Sequence, residues 1–247
     1  MVTNYRKVLK LYCGFAIIIL SQKEVIQMKT EKLFNLSHTI AAPLLEKYEF
    51  PWQSLGDIKS FIIELGKGLD KDKFEEISEH VWVAKSATVF PSAYIGAPCI
   101  IDEDTEVRHC AFIRGSAIIG KNCVVGNSTE IKNSIIFDNV QIPHYNYVGD
   151  SILGFKSHLG AGAITSNVKS DKSLVSINTA DGKVETGLKK FGAMVGDNVE
   201  VGCNSVLCPG TVIGQGSIIY PLSRVRGEVP ENSIFKSQEN IVIKQNR

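Results

Sequence analysis

Between residues 83 and 225, an aliphatic residue returns at nearly every sixth position, and neither a helical spacing nor a strict strand alternation fits the residues in between. The first run of these core positions is Val83, Val89, Ile95, Ile101, Val107, Ile113, Ile119, Val125 and Ile131. A second run with the same period is Val195, Val201, Leu207, Ile213, Ile219 and Val225. The fifth residue of most units is small or compact, as at Ala87, Ala93, Cys99 and Thr105. A fixed period over so many units indicates a solenoid of repeated elements.

The period of six predicts an all-β solenoid, namely a parallel β-helix of hexapeptide repeats. Three short strands close one triangular coil, the aliphatic and small residues point into its narrow interior, and neighbouring coils hydrogen-bond at about 4.8 Å. We expect this solenoid to span residues 79–230. Residues 166–194 interrupt the period, and their composition predicts a protruding β-hairpin arm with a tight turn at Asp181 and Gly182.

Two of the steps between core positions are one residue short. Ile131 to Ile136 and Val148 to Leu153 are steps of five residues, and both fall on the same face when the faces are counted in threes from Val83. The coil between them is therefore predicted to be shortened. The side chains of the shortened coil are expected to be displaced relative to those of the coil beneath it. This coil lies in the part of the chain that is richest in polar residues.

Residues 28–78 lie outside the repeats and predict a small helical unit. Its best helix begins after Ser54 or Asp57, either of which can cap it, and Gly66 and Gly68 are expected to end it. Because one amphipathic helix cannot bury its own apolar face, we expect this unit to pack on the solenoid.

Both ends of the chain are predicted to lie outside the folded parts. Residues 1–27 are expected to be a disordered or misassigned extension, because the apolar stretch 13–20 is too short to span a bilayer and no small-residue cleavage site follows it. A weak membrane signal is the alternative. Residues 231–247 are expected to form a C-terminal tail.

The overall composition excludes some classes of partner. The chain has 247 residues and a net charge of +1, which argues against a nucleic-acid binder, since such proteins usually carry a basic stripe. Six cysteines show neither a CxxC pair nor a zinc spacing. We therefore expect reduced thiols that fill small apolar positions in the repeats, a cytoplasmic location, and no membrane partner.

Arg114 and Lys132 occupy the same place in their units and are predicted to lie one above the other on adjacent coils. Stacked like charges cost free energy unless they are screened or neutralised. One explanation is two solvated surface charges. The other is an anion site, most simply for a phosphate, which arginine grips through two N–H groups and lysine as a point charge.

His144 falls at a corner close to these cations. Counting along the shortened coil places Asn127 and Ala161 on the coils next to His144, and it places Tyr147 against Glu130. A histidine at such a corner is usually structural. A carboxylate, a tyrosine and paired cations nearby make this one a candidate for proton transfer.

Four segments carry a resemblance to a known family: "FIRGSAII", "VVGNSTEIKNS", "PHYNYVGDS" and "HLGAGAITSNV". They resemble the C-terminal acetyltransferase domain of the bifunctional N-acetylglucosamine-1-phosphate uridylyltransferase / glucosamine-1-phosphate N-acetyltransferase. The segment "ETGLKKFGAMVGDNVEVGCNSVLCPGTVIG" is similar to the C-terminal domains of related sugar-phosphate nucleotidyltransferases. The resemblance covers residues 83–230, and it implies a left-handed β-helix that transfers an acetyl group to an amino-sugar phosphate.

The resemblance also implies roles for the acceptor site. His144 would be the general base that removes a proton from the sugar ammonium group, with Glu130 orienting its ring or raising its basicity. Arg114 and Lys132 would hold the sugar phosphate, and Tyr147 would contact the same group.

Acetyl-CoA is the co-substrate that the resemblance implies, and the acetyl transfer requires no metal. In the family it lies in the groove between neighbouring prisms of a homotrimer. The matching positions in this chain are Ala161, Asn167 and Cys203, with Arg226 for the CoA phosphates. Backbone N–H groups around Gly160 and Ala161 would stabilise the oxyanion.

The chain departs from the family pattern in three places. His158 stands where the family has an asparagine that contacts the sugar and the acyl group. We expect His158 to bind the substrate in its place, and its larger side chain would change which sugar fits. The family's lysine-bearing loop is replaced by the longer arm, in which Lys169 or Lys172 would substitute. Nothing in the chain resembles the nucleotidyltransferase half, which would then be a separate partner.

Three other interpretations are open to comparison. A γ-class carbonic anhydrase is disfavoured, because it requires two histidines five residues apart and the five histidines here (38, 80, 109, 144 and 158) show no such spacing. A catalytically silent trimeric scaffold, or a regulatory partner of a sugar-phosphate nucleotidyltransferase, is the main alternative. Acetyl transfer to an amino sugar carried on a nucleotide is the third.

Overall fold

The structure is a computed structural model that describes residues 28–179 and 182–244. The predicted extension 1–27 lies outside the described residues. From residue 81 onward, short parallel strands wind into a three-sided prism, which confirms the predicted β-helix. Each face is one ladder of strands. Adjacent rungs differ by 18 residues in most coils, by 17 where the coil is shortened, by 42 where the arm is inserted and by 16 at the C-terminal end.

The strands of the three faces share one arrangement, in which each pairs in parallel with the strand one coil away. The first face consists of β2 (Val81–Ala84), β5 (Cys99–Ile101), β8 (Ala117–Ile119), the second half of β10 (Glu130–Ile136), the second half of β12 (Tyr147–Leu153), β17 (Ala193–Val195), β20 (Thr211–Ile213) and β23 (Glu228–Val229). The second face consists of β3 (Thr88–Val89), β6 (Glu106–Val107), β9 (Val124–Asn127), β11 (Gln141–His144), β13 (His158–Leu159), β18 (Glu200–Val201), β21 (Ile218–Ile219) and β24 (Ser233–Ser237). The third face consists of β4 (Tyr94–Ile95), β7 (Phe112–Ile113), the first halves of β10 and β12, β14 (Ile164–Thr165), β19 (Val206–Leu207) and β22 (Arg224–Val225).

The shortened steps fall where they were predicted. β10 and β12 each run without a break from the third face onto the first, so that Ile131 pairs with Val148 and Ile136 with Leu153. A five-residue step leaves too few residues for a separate corner, and the strand continues through the bend instead. The polar and charged residues that were predicted to form the acceptor site lie on or beside these two continuous strands.

The interior of the prism is filled by the core positions that set the period. Ile101, Ile113 and Val125 are fully buried, one from each face. Threonine and serine side chains that also point inward are hydrogen-bonded to backbone, as when the Thr105 hydroxyl donates to Gly120 O at 2.6 Å. Many corner residues have a positive φ, which asparagine and aspartate tolerate best among residues with a side chain, and they include Asp104, Asn122, Asn133, Asn139, Asp150, Asn198 and Asn204.

The N-terminal unit consists of short helices that cover the first face. They are α1 (Thr30–Leu33), α2 (Ala42–Leu45), α3 (Ile58–Lys67) and the 3₁₀ turns Leu36–His38 and Pro51–Gly56. As predicted, the unit packs on the solenoid: the Phe34 ring lies 5.1 Å from that of Phe137, and the Trp52 ring 5.8 Å from that of Phe191. The two parts therefore share one hydrophobic core.

Two details of α3 differ from the prediction. Gly66 does not end the helix but lies inside it, at a position where a Cβ would fall 2.2 Å from the Trp82 ring. Asp57 precedes the helix without capping it, and its carboxylate accepts a hydrogen bond from the Tyr48 hydroxyl instead. Gly68 is the residue at which α3 ends.

The predicted hairpin is present as β15 (Ser176–Thr179) and β16 (Gly182–Glu185), which pair antiparallel. Asp181 of the predicted turn lies outside the described residues. The arm folds back on the later coils and does not project freely, since Val175 and Ile177 are fully buried. Gly227, with φ +81°, allows this contact because a Cβ would meet Asn178 O at 2.2 Å.

The solenoid continues past residue 230, where the sequence predicted a tail. β24 adds a further rung to the second face, with Phe235 buried in a core position, and β25 (Asn240–Ile243) pairs with it antiparallel. The prediction missed this rung because Val225 to Val229 is a step of only four residues. The remaining strand, β1 (Phe74–Ser78), pairs antiparallel with β2 at the other end of the prism.

The described cysteines carry free thiols, as predicted, but only some of them fill small apolar positions in the interior. Burial raises the pKa of Cys99 and of Cys123 to about 12. Cys110 and Cys203 are exposed, because both fall at corners and point away from the interior. Within the described ranges, no helix has the length and apolar character needed to cross a bilayer.

Candidate active site

The third face carries the predicted acceptor site on its outer surface. Side chains alternate along a strand, so the residues before and after each buried core position point outward. One outward column holds Tyr94, Phe112, Glu130 and Tyr147 on four successive rungs. The other holds Arg114 and Lys132, and the Arg114 N–H donates to Ile131 O at 2.8 Å between those rungs. The predicted stacking of the two cations is therefore present.

Arg114 is neutralised by Glu130 on the next rung. Its Nη1 donates to Glu130 Oε1 at 2.8 Å, and this hydrogen bond raises the pKa of the Arg114 guanidinium. The pair uses one guanidinium nitrogen, so Arg114 keeps further N–H donors for another anion. Both side chains are partly exposed, and a ligand can reach them from solvent.

Lys132 is neutralised by Asp150, a residue that the sequence reasoning missed. The Lys132 Nζ lies 3.1 Å from Asp150 Oδ2 and 3.3 Å from Oδ1, and Asp150 is only 4% exposed. The same carboxylate accepts hydrogen bonds from the amides of Asn133, at 2.9 Å, and Asn167. A buried carboxylate requires such a set of donors, which here hold the ammonium group in place.

The N-terminal unit supports this network from behind. The Asn133 amide, besides its bond to Asp150, donates to Leu55 O at 3.2 Å. The packing of the unit on the first face is thereby connected to the position of Asp150 and, through it, to that of Lys132.

Tyr147 lies between the cations and the corner at His144. Asn167 donates to the Tyr147 hydroxyl at 3.2 Å, and burial, together with the charges of Asp150 and Glu130, raises the pKa of the phenol. Tyr147 is therefore a neutral hydrogen-bond donor at physiological pH. Gly149 makes room for the ring, since a Cβ there would lie 2.4 Å from the hydroxyl oxygen.

His144 ends β11 at the corner between the second and third faces. As predicted, it is in register with Asn127 on the coil before, and its carbonyl accepts the Gly162 N–H at 3.0 Å from the coil after. The corner is fixed by buried Asn146, whose Oδ1 accepts the His144 N–H at 3.1 Å. The His144 side chain is exposed, and its imidazole forms no hydrogen bond to another residue of the described ranges.

Within the described part of the chain, no hydrogen bond joins Glu130 to His144. Glu130 lies on the third face, one rung from Arg114, and its carboxylate is held there. His144 lies around the corner on a different strand, and the expected role of Glu130 in orienting its ring or raising its basicity stays a prediction. In the structure, Glu130 positions the Arg114 guanidinium.

His158 lies on the second face, in register with Gln141 and Glu200. Its Nδ1 lies 2.8 Å from Glu200 Oε2, so the imidazole already has a carboxylate partner. The substrate-binding role of His158 stays a prediction.

The residues predicted to bind the co-substrate divide into three places. Ala161 and Cys203 are neighbours at one corner, where Ala161 O accepts the Asn204 N–H at 2.8 Å and Cys203 Sγ would lie 3.0 Å from a Cβ at Gly160. Asn167 belongs to the Asp150 network. Arg226 lines a cavity of 470 Å³ beneath the arm, together with Lys169 and Lys183.

The predicted oxyanion donors are reduced to one. The Gly160 N–H donates to Val201 O at 2.7 Å and the Gly162 N–H to His144 O at 3.0 Å, so both are used in the ladder. Of these three successive residues, Ala161 is left as the candidate donor.

Comparisons with known proteins agree with the fold and the resemblance. Residues 95–190 match the family model described as the GMPPB C-terminal domain, and residues 192–227 match that of the bacterial transferase hexapeptide (six repeats). The chain thus carries hexapeptide-transferase repeats, which confirms the predicted resemblance.

The curated relatives are much longer proteins. The bifunctional protein GlmU of Methanococcus vannielii is 37% identical over 161 residues, which cover 65% of this chain and 34% of that protein. A bifunctional sugar-1-phosphate nucleotidylyltransferase/acetyltransferase of Sulfurisphaera tokodaii is 35% identical over 105 residues, which cover 42% of this chain and 26% of that protein. The chain spans about a third or less of these relatives.

A solved structure of the polySia specific acetyltransferase NeuO is 16% identical to the chain, with a TM-score of 0.39. The match covers 65% of this chain and 81% of that one. This likeness is too remote to support an inference about function.

Proposed function

We propose that this chain is an acetyl-CoA-dependent N-acetyltransferase that acts on an amino-sugar phosphate. The observation that carries the proposal is the arrangement on the third face: two held cations, a neutral tyrosine between them and the corner, and an imidazole there that has no hydrogen-bond partner among the described residues. The name of one relative, a bifunctional sugar-1-phosphate nucleotidylyltransferase/acetyltransferase, supports the same reaction class.

The cations are suited to a phosphate. Arg114 and Lys132 lie on adjacent rungs, and their carboxylate partners fix both head groups before a ligand arrives. A charge that is already positioned loses less conformational entropy when it binds an anion. The phosphate oxygens would accept the remaining N–H groups of Arg114 and the ammonium of Lys132, and Tyr147 would donate its hydroxyl proton to the same group.

His144 would act as the general base. The acceptor amine is protonated at neutral pH, and histidine is the side chain that most often takes such a proton in general base catalysis. The amine nitrogen then forms a bond to the thioester carbonyl carbon, and the nitrogen of the adduct loses a further proton to solvent. The carbon–sulfur bond breaks, and the leaving thiolate takes the proton from the imidazolium. The Ala161 N–H is the proposed donor to the carbonyl oxygen.

We assign the binding of acetyl-CoA to two of the three places described above. The corner of Ala161 and Cys203 adjoins His144 and would take the acyl end. The cavity lined by Arg226, Lys169 and Lys183 also contains Asp171, and the net positive charge of this lining suits the CoA phosphates. A homotrimer would bring the His144 corner of one prism to the groove of its neighbour, and a separate nucleotidyltransferase would be a further partner.

One observation favours the second candidate, a catalytically silent trimeric scaffold. Arg114 and Lys132 are both neutralised, and His158 is paired with Glu200. A cluster that is satisfied within the chain can serve stability alone.

The release of CoA thiol in the presence of acetyl-CoA and an amino-sugar 1-phosphate tests the proposal. We expect release that depends on the acceptor, with an N-acetylated product detected by mass spectrometry. Release at the rate of acetyl-CoA hydrolysis, with no acetylated sugar for any hexosamine phosphate, would favour the scaffold.

A further inference from the structure

Two large aromatic side chains stand exposed at the end of the column that carries Glu130 and Tyr147. Tyr94 is 60% exposed and Phe112 is 42% exposed, and they occupy adjacent rungs in register. Their ring centroids are 5.5 Å apart with planes at 63°, so they form one edge-to-face pair. An exposed cluster of large apolar side chains is uncommon on a soluble surface and marks a binding site more often than an isolated residue does.

The aromatic pair is continuous with the proposed phosphate site. The Arg114 guanidinium carbon lies 6.0 Å from the centre of the Phe112 ring, and the same guanidinium is bound to Glu130 one rung further on. Phe112 and Glu130 are directly in register. A ligand on the cations therefore touches the aromatic pair if it extends toward Tyr94.

The length of the column determines what such a ligand must contain. Tyr94 and Tyr147 are three rungs apart, which is about 14 Å at the spacing of hydrogen-bonded strands. A hexosamine 1-phosphate bound at Tyr147 is too short to span these three rungs. Covering the aromatic pair as well requires a longer molecule with a planar group at its far end.

We propose that the acceptor is a nucleoside-diphosphate-linked amino sugar, whose base stacks on Tyr94 and Phe112. Its two phosphates carry one negative charge each and match the two cations Arg114 and Lys132, which leaves the sugar amine at the His144 corner. Aromatic side chains are the usual platform for a base, since every base presents a π face. This inference rests on the proposed function and narrows its substrate class.

The exposed aromatic pair could instead contact a second copy of this chain. Truncation of Phe112 distinguishes a base-binding site from such a subunit contact. Loss of a base platform affects only acceptors that have a base, whereas loss of a subunit contact changes the assembly and affects every acceptor alike.

The experiment compares kcat/KM for glucosamine 1-phosphate with that for nucleoside-diphosphate glucosamines carrying uracil, guanine, thymine or adenine. The variants are Phe112→Ala, Phe112→Leu and Tyr94→Ala, with Tyr220→Ala as the control for loss of an exposed ring on another face. We expect at least one nucleotide acceptor to exceed the monophosphate by tenfold or more. Phe112→Ala and Tyr94→Ala should each lower kcat/KM for it by roughly tenfold and leave the monophosphate unchanged.

Phe112→Leu retains apolar bulk, so a loss shared with Phe112→Ala identifies stacking and not misfolding. The inference is overturned, with the proposed function intact, if the monophosphate is the better acceptor or if Phe112→Ala lowers both acceptors equally. A change in sedimentation coefficient of Phe112→Ala would assign the pair to a subunit contact and overturn the inference. If no acceptor is acetylated, both the inference and the proposed function fall.

Discussion

Lys132 and Asp150 form an ion pair between adjacent coils, with the Lys132 Nζ 3.1 Å from Asp150 Oδ2 and the carboxylate almost completely buried. The pair explains how a second cation can lie beside Arg114 on one face. Each positive charge has its own carboxylate, so the two do not depend on a bound anion to coexist.

This pair predicts a stability effect that is separate from activity. Asp150→Asn keeps the shape and tolerates the positive φ of this corner, but it removes the charge that holds Lys132. We expect a loss of about 2 kcal/mol in the free energy of unfolding, as for other hydrogen bonds to charged groups. Urea denaturation measures it.

Asp104→Asn is the matched control for that substitution. Asp104 also has a positive φ but is exposed, and its change should leave the free energy of unfolding within about 0.5 kcal/mol. Equal losses in the two variants would show that the buried pair contributes nothing beyond the corner geometry.

Arg114 predicts an effect on acceptor affinity. Arg114→Ala should raise the KM for the phosphorylated acceptor by tenfold or more and change kcat less, because the guanidinium binds the phosphate in both ground and transition states. Initial rates over a range of acceptor concentrations measure this.

Arg108→Ala serves as the control for that variant. Arg108 forms an ion pair with Glu106 at 3.0 Å and is exposed to a similar degree, but it lies on the second face. The phosphate role is contradicted if the two variants raise KM equally, or if neither does.

The carboxyl group of Asp102 leads us to expect that the free energy of unfolding depends on pH. Its side chain is buried, Oδ2 lacks a hydrogen-bond partner within the described residues, and burial raises the pKa of the carboxyl. The carboxyl of Asp102 thus has a higher pKa in the folded chain than in the unfolded chain. The free energy of unfolding is then greatest at a pH below the pKa of the unfolded chain, and it falls as the pH rises through the pKa of the folded chain. Asp102 therefore makes the protein less stable toward neutral pH.

Asp102→Asn removes this titration. We expect its free energy of unfolding to vary less than that of the wild type between about pH 4 and pH 7, the range above the ordinary aspartate pKa. Urea denaturation at several pH values tests this, with Asp104→Asn as an exposed control. A wild type and variant with parallel pH profiles would show that Asp102 is not the group responsible.

Much of the architecture can be predicted from the sequence because the fold repeats one local geometry. Each core position from Val83 to Ile131 faces the same interior, so a fixed period identifies the strands, and the short step after Ile131 is visible in the same count. The sequence did not reveal the rung at Phe235, because the four-residue step before Val229 breaks the count. The docking of the arm also depends on close approaches of its backbone and side chains to Gly210 and Gly227, which the count does not show.

The site was predicted less completely than the fold. Register alone places Arg114, Lys132 and Tyr147 on one face, and it places His144 at the adjoining corner. Register does not determine which carboxylate each cation pairs with, because that depends on the side-chain rotamers of residues on neighbouring coils. The hydrogen bond of Glu130 to Arg114 was therefore not predicted, and Asp150, a buried acid in "YVGDS", was missed although its place on a continuous strand was a usable signal.

The central claim is that His144 removes the proton from the acceptor amine, and comparison with His109 tests it most directly. Asn127 is in register with His144 and its amide donates to His109 O at 3.1 Å, so the two histidines occupy the same corner column two coils apart. The measurement is kcat/KM for acetylation of the preferred acceptor. We predict a loss of roughly 100-fold or more for His144→Ala and less than twofold for His109→Ala. A His144→Ala enzyme that acetylates the acceptor at the wild-type rate would contradict the account.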